Sequence, residues 1–423
     1  MTRASKGKSL HVILHTSDQK GVTKVDEAGN AYRSQTDIAG KTNLRELALF
    51  FLRLGTTAFG GPAAHIAMME DEVVRRRQWV LPEKFLDLLG AANLIPGPSS
   101  TEMAIFIGYL CEGWAGLLLG GVCFIAPAMV IVIGFAWAYV HYGNLPRVTW
   151  LLYGVKPVVI AIIFQALWQL GHKAVKNKFL GTLAIIGIIL NFLGMNILVL
   201  LFGTGVVSGM YQALIQDRAR NLKPLLIMLL SAGCFAAVAY FAAGLYSTGK
   251  EAFGLAPLFF FFVKVGSIVF GSGYVLLAFL QADLVWHWHW LTTTQLLDAV
   301  AVGQVTPGPV FTTATFIGYL LGGLPGALIA TAGIFLPSFI FVAASSPLIP
   351  RLRKSAVAGA FLDGVIMASL ALMASVTWTL GRGAIIDLPT ALLVLGSAFL
   401  LVRFRLNSLW LMLGGALIGF VTY

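Results

Sequence analysis

From residue 44 to the C-terminus, apolar runs near 20 residues follow one another with only short polar breaks. About 20 apolar residues in a helix cross the hydrocarbon core of a bilayer. Backbone at that depth has no water to bond to, so such runs must be helical or buried in protein. A transmembrane barrel would need short segments of alternating polarity, which are absent. Charged residues make up 11% of the 423-residue chain, against about 25% in a soluble domain. The expected fold is therefore all-α and polytopic, a multi-pass membrane protein in contact with the lipid bilayer. The net charge of +11 does not indicate nucleic acid. The Lys and Arg stand in the N-terminal tail and in short loops, where membrane proteins keep them. Cys111, Cys123 and Cys234 form no C-x-x-C, so neither a metal site nor a disulfide framework is expected. No cofactor is expected. Residues 1–43 are polar and read as a flexible cytoplasmic tail.

A repeat organises the apolar part. Phe51-Leu-Arg-Leu-Gly55 recurs as Phe262-Val-Lys-Val-Gly266. In the same register Phe59 and Gly60 meet Phe270 and Gly271, Trp79 meets Trp290, and Asp87 meets Asp298. Pro96-Gly97-Pro98 meets Pro307-Gly308-Pro309. One residue is then lost, and Phe106-Ile-Gly-Tyr-Leu110 matches Phe316-Ile-Gly-Tyr-Leu320. Residues 44–215 and 258–423 are thus two copies of one unit, and 216–257 join them with one further apolar span near 225–246.

A single linker span inverts the second copy if each copy makes an even number of crossings. Loop charges agree. Arg75, Arg76, Arg77 and Lys84 occupy a loop of the first copy, whereas the matching loop of the second, 281–295, has no Lys or Arg. By the positive-inside rule the first is cytoplasmic and the second outside. Basic clusters at Lys173, Lys176 and Lys178, at Arg218, Arg220 and Lys223, at Arg351, Arg353 and Lys354, and at Arg403 and Arg405 all fall inside on that threading. The outer loops carry only Arg147, Lys250 and Arg382. The N-terminus is then cytoplasmic, and two inverted repeats are a transporter architecture.

This threading requires the first two segments of each copy to start and end on one side. Gly60-Gly61-Pro62 breaks segment 47–69, and Pro96-Gly97-Pro98 breaks segment 85–110, leaving arms too short to span. Both read as re-entrant helical hairpins, with a single kinked span as the rival for the first. Asn43 to Glu46 and Thr292 to Gln295 look like capping boxes opening such arms. Four ordinary spans are expected to follow in each copy, near 114–140, 150–170, 179–194 and 196–215 in the first.

Candidate chemistry gathers at the breaks. The arm after each P-G-P begins with free N–H groups, at Ser99, Ser100 and Thr101 and at Val310, Phe311 and Thr312. A helix N-terminus binds oxyanions, and hydroxyls of Thr306, Thr312, Thr313 and Thr315 cluster at the second. Pro and Gly could instead merely kink a helix. Arg53 and Lys264 are equivalent in the repeat and lie within apolar segments, where a cation either serves a cavity or snorkels to the interface. The expected substrate-binding set is therefore Arg53, Gly60, Gly61, Pro96, Gly97, Pro98, Ser99, Ser100 and Thr101 in one copy. In the other it is Lys264, Gly271, Thr306, Pro307, Gly308, Pro309, Thr312 and Thr313. Lys156 is a third intramembrane cation without a counterpart. Asp87 and Asp298 are expected to neutralise Arg53 and Lys264, and Asp363 has no repeat partner. Proton-coupling candidates are Glu102, the acid nearest a P-G-P, with His65, Asp87 and Asp298. Trp286-His-Trp-His-Trp290 reads as an interfacial aromatic belt rather than a metal site. No nucleotide loop, catalytic triad or metal-ligand spacing appears, so an enzyme is not indicated.

At Phe59-Gly-Gly-Pro-Ala-Ala-His-Ile66, Leu94-Ile-Pro-Gly-Pro98 and Val302-Gly-Gln-Val-Thr-Pro-Gly-Pro-Val-Phe-Thr-Thr-Ala-Thr-Phe-Ile-Gly-Tyr319 the chain resembles the chromate ion transporter family of prokaryotic inner membranes, in its two-repeat form. The resemblance implies export of chromate from the cytoplasm, chromate resistance and drive by the proton-motive force. The family's double glycine becomes Gly271-Ser272-Gly273 in the second copy, without proline, so the half-sites need not be equivalent. The residues alone indicate an oxyanion transporter. Sulfate is an alternative substrate, because it shares chromate's shape and charge, and an anion-binding sensor that moves nothing is another reading. A homodimer is left open.

Overall fold

The computed structural model describes residues 42–143, 145–216, 253–270, 273, 275–345, 356–404 and 406–422. The tail, the linker span at 225–246, Gly271 and Ser272, and the basic clusters at 218–223 and 351–354 lie outside the described residues. Every regular element among the described residues is helical.

The first copy opens with α1 (Leu44–Thr57) and α2 (Gly61–Glu70), the latter continued by a π-helical turn, Asp71–Arg76. Asn43 caps α1 by accepting the Glu46 N–H at 2.8 Å. Between the helices Ala58 is extended and Gly60 is left-handed, so the chain doubles back. The Arg77 guanidinium lies 5.9 Å from the Phe50 ring centre, and Phe50 meets Trp79 edge-on at 5.8 Å. A single kinked span would hold these ends far apart, so the hairpin reading stands. The second copy repeats it with α8 (Leu255–Ile268) and α9 (Leu276–Phe279), continued by the π-helical turn Leu280–His287. Phe261 there meets Trp288 at 5.3 Å. Gln78 and His289, equivalent in the repeat, share a left-handed backbone.

The second hairpins are α3 (Pro82–Ala92) with the first limb of α4 (Ser99–Tyr142), and α10 (Thr293–Val305) with a 3-10 turn (Val310–Thr312) and the first limb of α11 (Thr313–Ser345). Thr292 and Gln295 form the full capping box of α10. Neither α4 nor α11 is one rod. Each folds back on itself at a non-helical pair, Glu112-Gly113 and Gly322-Gly323. The positive φ of Gly113 and Gly323 makes these turns cheap for glycine alone. The limbs then touch backbone to backbone: a Cβ on Gly108 would stand 2.1 Å from the Gly116 carbonyl oxygen, and one on Gly318 would stand 2.3 Å from that of Gly326.

The long limbs of α4 and α11 run in opposite directions. Gly121, early in the second limb of α4, sits against the Phe339 ring late in α11. Tyr139, at the far end of α4, meets Phe316, which folds back over the start of the second limb of α11. The two copies are therefore inverted. The remaining helices interlock reciprocally. In the first copy they are α5 (Pro146–Ala174), α6 (Lys178–Phe192) and α7 (Ile197–Gln216); in the second, α12 (Ala356–Ala384), α13 (Leu388–Phe404) and α14 (Ser408–Thr422). α5 packs on α13 and α14, while α12 packs on α6 and α7. Glycines set the close approach at equivalent points: Gly154 lies on Gly415, and Gly364 on Thr204 and Gly205. The copies are repeats of sequence that share one intertwined body.

α6, α13 and α14 have 15, 17 and 15 residues, about 22 to 26 Å at 1.5 Å per residue, and are shorter than the long apolar helices α4, α5, α11 and α12. Phe179 stacks on Tyr211 at 3.9 Å, so α6 and α7 form another hairpin.

Candidate functional site

The two P-G-P turns lie where the copies cross. The Gly97 N–H donates to the Val269 carbonyl at 2.7 Å, and the Gly308 N–H donates to the Ala58 carbonyl at 2.9 Å. Ala58 and Val269 are the equivalent residues that end α1 and α8. Each P-G-P of one copy thus satisfies the broken hairpin of the other. An unpaired backbone group in hydrocarbon would cost several kcal/mol. Gly97 and Gly308 have positive φ, and neither has room for a side chain. A Cβ on Gly308 would be 2.7 Å from that of Ala128. His65 is fully buried, with Nε2 3.1 Å from the same Ala58 carbonyl. Its repeat counterpart is Leu276, so only one crossing carries an imidazole.

The hydroxyl cluster departs from expectation. Thr306, Thr312 and Thr313 donate to the carbonyls of Val302, Pro309 and Val310 at 3.0, 2.8 and 2.8 Å, so their hydrogens point into their own chain. The Thr101 and Thr312 N–H groups are not free either; they bond the carbonyls of Pro98 and Pro309 at 2.8 and 3.0 Å. Ser99 and Ser100 open a long helix and keep the first-turn N–H groups that no carbonyl four residues back can take. Both are buried.

Glu102 sits in this cradle, fully buried. A Cβ on Gly97 would stand 2.3 Å from Glu102 Oε1 and 2.6 Å from Ser338 Oγ, so the acid and the serine of the other copy converge on the glycine. Among the described residues neither carboxyl oxygen, nor the hydroxyls of Ser338 and Thr101, has a hydrogen-bond partner.

The acids expected to neutralise the repeat-equivalent cations do otherwise. Asp298 pairs with Lys156 at 3.0 Å and accepts from the Tyr139 hydroxyl at 2.9 Å. Lys264 pairs with Asp283 at 2.7 Å. The reason is geometric. The hairpin brings the π-helical turn back beside α8, while Asp298 on α10 faces α4 and α5 of the first copy. Lys156, at whose repeat position stands Ile366, thus has Asp298 as its partner, and Asp363 holds Lys176 at 2.7 Å. Asp87, half-buried on α3, lies on the element matching α10.

The cations line cavities. Lys264 and Asp283 face one of about 940 Å³, whose wall includes Gln281, Trp288, Ser375 and Thr379. Arg53 faces one of about 300 Å³ with Asp71, Glu72 and Arg76. No P-G-P residue borders either cavity; the crossings stand apart from both. The sequence did not single out Gln281 and placed Trp288 only in an aromatic belt; among the described residues the Gln281 amide and the Trp288 indole N–H lack partners. Gln281 is the polar residue standing where the first copy has Glu70, and that was the available signal.

Two repeats whose long helices run antiparallel, broken helices meeting at a crossing, and cation-lined cavities are features of multi-pass membrane transporters built from internal repeats. Residues 45–213 and 256–420 match the family model of chromate transporters. The chain is 36% identical over 384 residues to the chromate transport protein of Cupriavidus metallidurans, covering 90% of this chain and 93% of the relative. It is 32% identical to the probable chromate transport protein of Synechococcus elongatus, over 83% and 88% of the two chains. It is 29% identical to the chromate transport protein of Pseudomonas aeruginosa, over 88% and 91%. No solved structure matches it. The chain belongs to the chromate transporter family.

Proposed function

We propose that the chain is a secondary transporter that exports chromate from the cytoplasm across a prokaryotic inner membrane and so confers chromate resistance. The observation that carries this reading is Arg53. It lies in a membrane segment, faces a cavity, and pairs with no carboxylate among the described residues. A cation so placed marks an ion pathway. Its cavity lies beside the arginine-rich turn, the side that the positive-inside rule assigns to the cytoplasm. The names of the relatives supply the substrate. Arg53 receives the anion, the N–H groups of Ser99 and Ser100 receive it at the crossing, and Lys264 marks the far side.

The cell interior is negative, and one charge moved through 100 mV is worth about 2.3 kcal/mol. A departing dianion gains about twice that, roughly 4.6 kcal/mol, so a selective path suffices for net export. Exchange for one incoming proton adds a third charge in the same electrical sense, with Glu102 as its carrier. The test is chromate efflux from proteoliposomes clamped with potassium and valinomycin at two voltages and two pH gradients. Efflux should rise as the interior becomes more negative. Binding without flux would make the chain a sensor, and flux indifferent to voltage would point to electroneutral exchange. Sulfate in the same assay ranks the two tetrahedral dianions.

A further inference from the structure

The cations of the two cavities differ in their pairing, and the sequence explains why. Glu72 and Asp283 are equivalent in the repeat and border the two cavities. In the first copy the neighbours are arginines. Arg75 takes Glu70 at 3.2 Å, Arg76 takes Asp71 at 2.9 Å, and Arg77 takes Glu72 at 2.8 Å. Three arginines answer three acids, and Arg53 remains as an excess positive charge. In the second copy Trp286, His287 and Trp288 stand where Arg75, Arg76 and Arg77 stand. Asp283 has no arginine beside it and holds Lys264 instead, at 2.7 Å, with the two side chains 23% and 33% exposed.

We propose that Asp283 is a resident counter-ion that competes with the transported tetrahedral dianion for Lys264, so that the second cavity releases what the first captures. The proposal rests on the transport reading above and gives it a direction. An anion at Arg53 meets uncompensated charge. An anion at Lys264 must displace a carboxylate already in contact, and the returning carboxylate ejects it. Gln281 and Trp288, whose N–H groups lack partners among the described residues, offer the departing anion hydrogen bonds without adding charge.

The test is chromate binding to the purified full-length protein by calorimetry at fixed pH and salt, with efflux from proteoliposomes measured on the same preparations. Asp283→Asn should tighten binding about two- to fivefold, the range open to a partly exposed ion pair, and should slow efflux. The double variant Lys264→Gln/Asp283→Asn, which leaves no lone charge and should fold, should lose the gain shown by Asp283→Asn. No tightening in Asp283→Asn, or a gain that survives in the double variant, overturns the proposal. Chromate flux through the unaltered protein together with either result removes only the role of Asp283. Absence of both chromate and sulfate flux removes the transport reading, and this proposal with it.

Discussion

Arg53 and Glu102 are the side chains whose surroundings leave most undone. Arg53 faces its cavity without a paired carboxylate among the described residues, and Arg53→Gln should abolish chromate efflux while the protein still inserts. Arg53→Lys should retain more efflux than Arg53→Gln, since it keeps the charge and loses only the planar fork. Near-normal efflux in Arg53→Gln would make the residue a snorkelling one. Glu102 is buried, and both its oxygens lack a hydrogen-bond partner among the described residues. If it carries the coupled proton, Glu102→Gln should remove the dependence of efflux on the pH gradient and leave the dependence on voltage. Loss of both would show a role in the path itself. The sequence pointed to both residues, Arg53 by its lone charge in an apolar run and Glu102 by its place one turn after Pro98. It could not show that Ser338 of the other copy shares the Glu102 cradle, because that neighbour comes from a segment more than 200 residues away.

The elements most exposed to damage are the P-G-P turns. Gly97 has φ near +138° and would place a Cβ within 2.3 Å of Glu102 and 2.6 Å of Ser338. Gly97→Ala should therefore destabilise the protein by about 1–3 kcal/mol from backbone strain alone, lowering the unfolding midpoint in detergent. Gly134→Ala, on the long limb of α4 where nothing lies within 4 Å, should leave the midpoint unchanged. Equal midpoints for the two variants would contradict the packed crossing. The breaks were legible in sequence because proline and glycine interrupt helices whatever surrounds them. Their partners were not, since the hydrogen bonds that satisfy Gly97 and Gly308 come from the opposite copy. The hydroxyls near Pro307 misled for a related reason: composition shows that Thr306, Thr312 and Thr313 are present, but only backbone geometry shows that they turn inward.

At the scale of the whole molecule, inversion of the copies assigns equivalent loops to opposite faces. Gln78 and His289 occupy equivalent left-handed positions. Cysteines placed there, in a background lacking Cys111, Cys123 and Cys234, should react with an impermeant thiol reagent from opposite sides, position 78 from the cytoplasm. Labelling of both from one side would end the inverted arrangement in the membrane.

The sequence alone determined the class and the internal duplication. Apolar run length and scarce charge depend on local composition, and a repeat is visible wherever two stretches can be aligned. It also located the breaks and the cations Arg53 and Lys264. Only the tertiary structure decided what those cations face. Asp298 turned to Lys156, Asp283 to Lys264, and Glu72 to Arg77. An ion pair is fixed by which hairpin folds back on which helix, and separation along the chain does not record that distance. The same holds for the crossing. Two copies of one sequence could have packed side by side, but unsatisfied backbone groups at each break made pairing across the copies the arrangement that leaves Gly97 and Gly308 bonded.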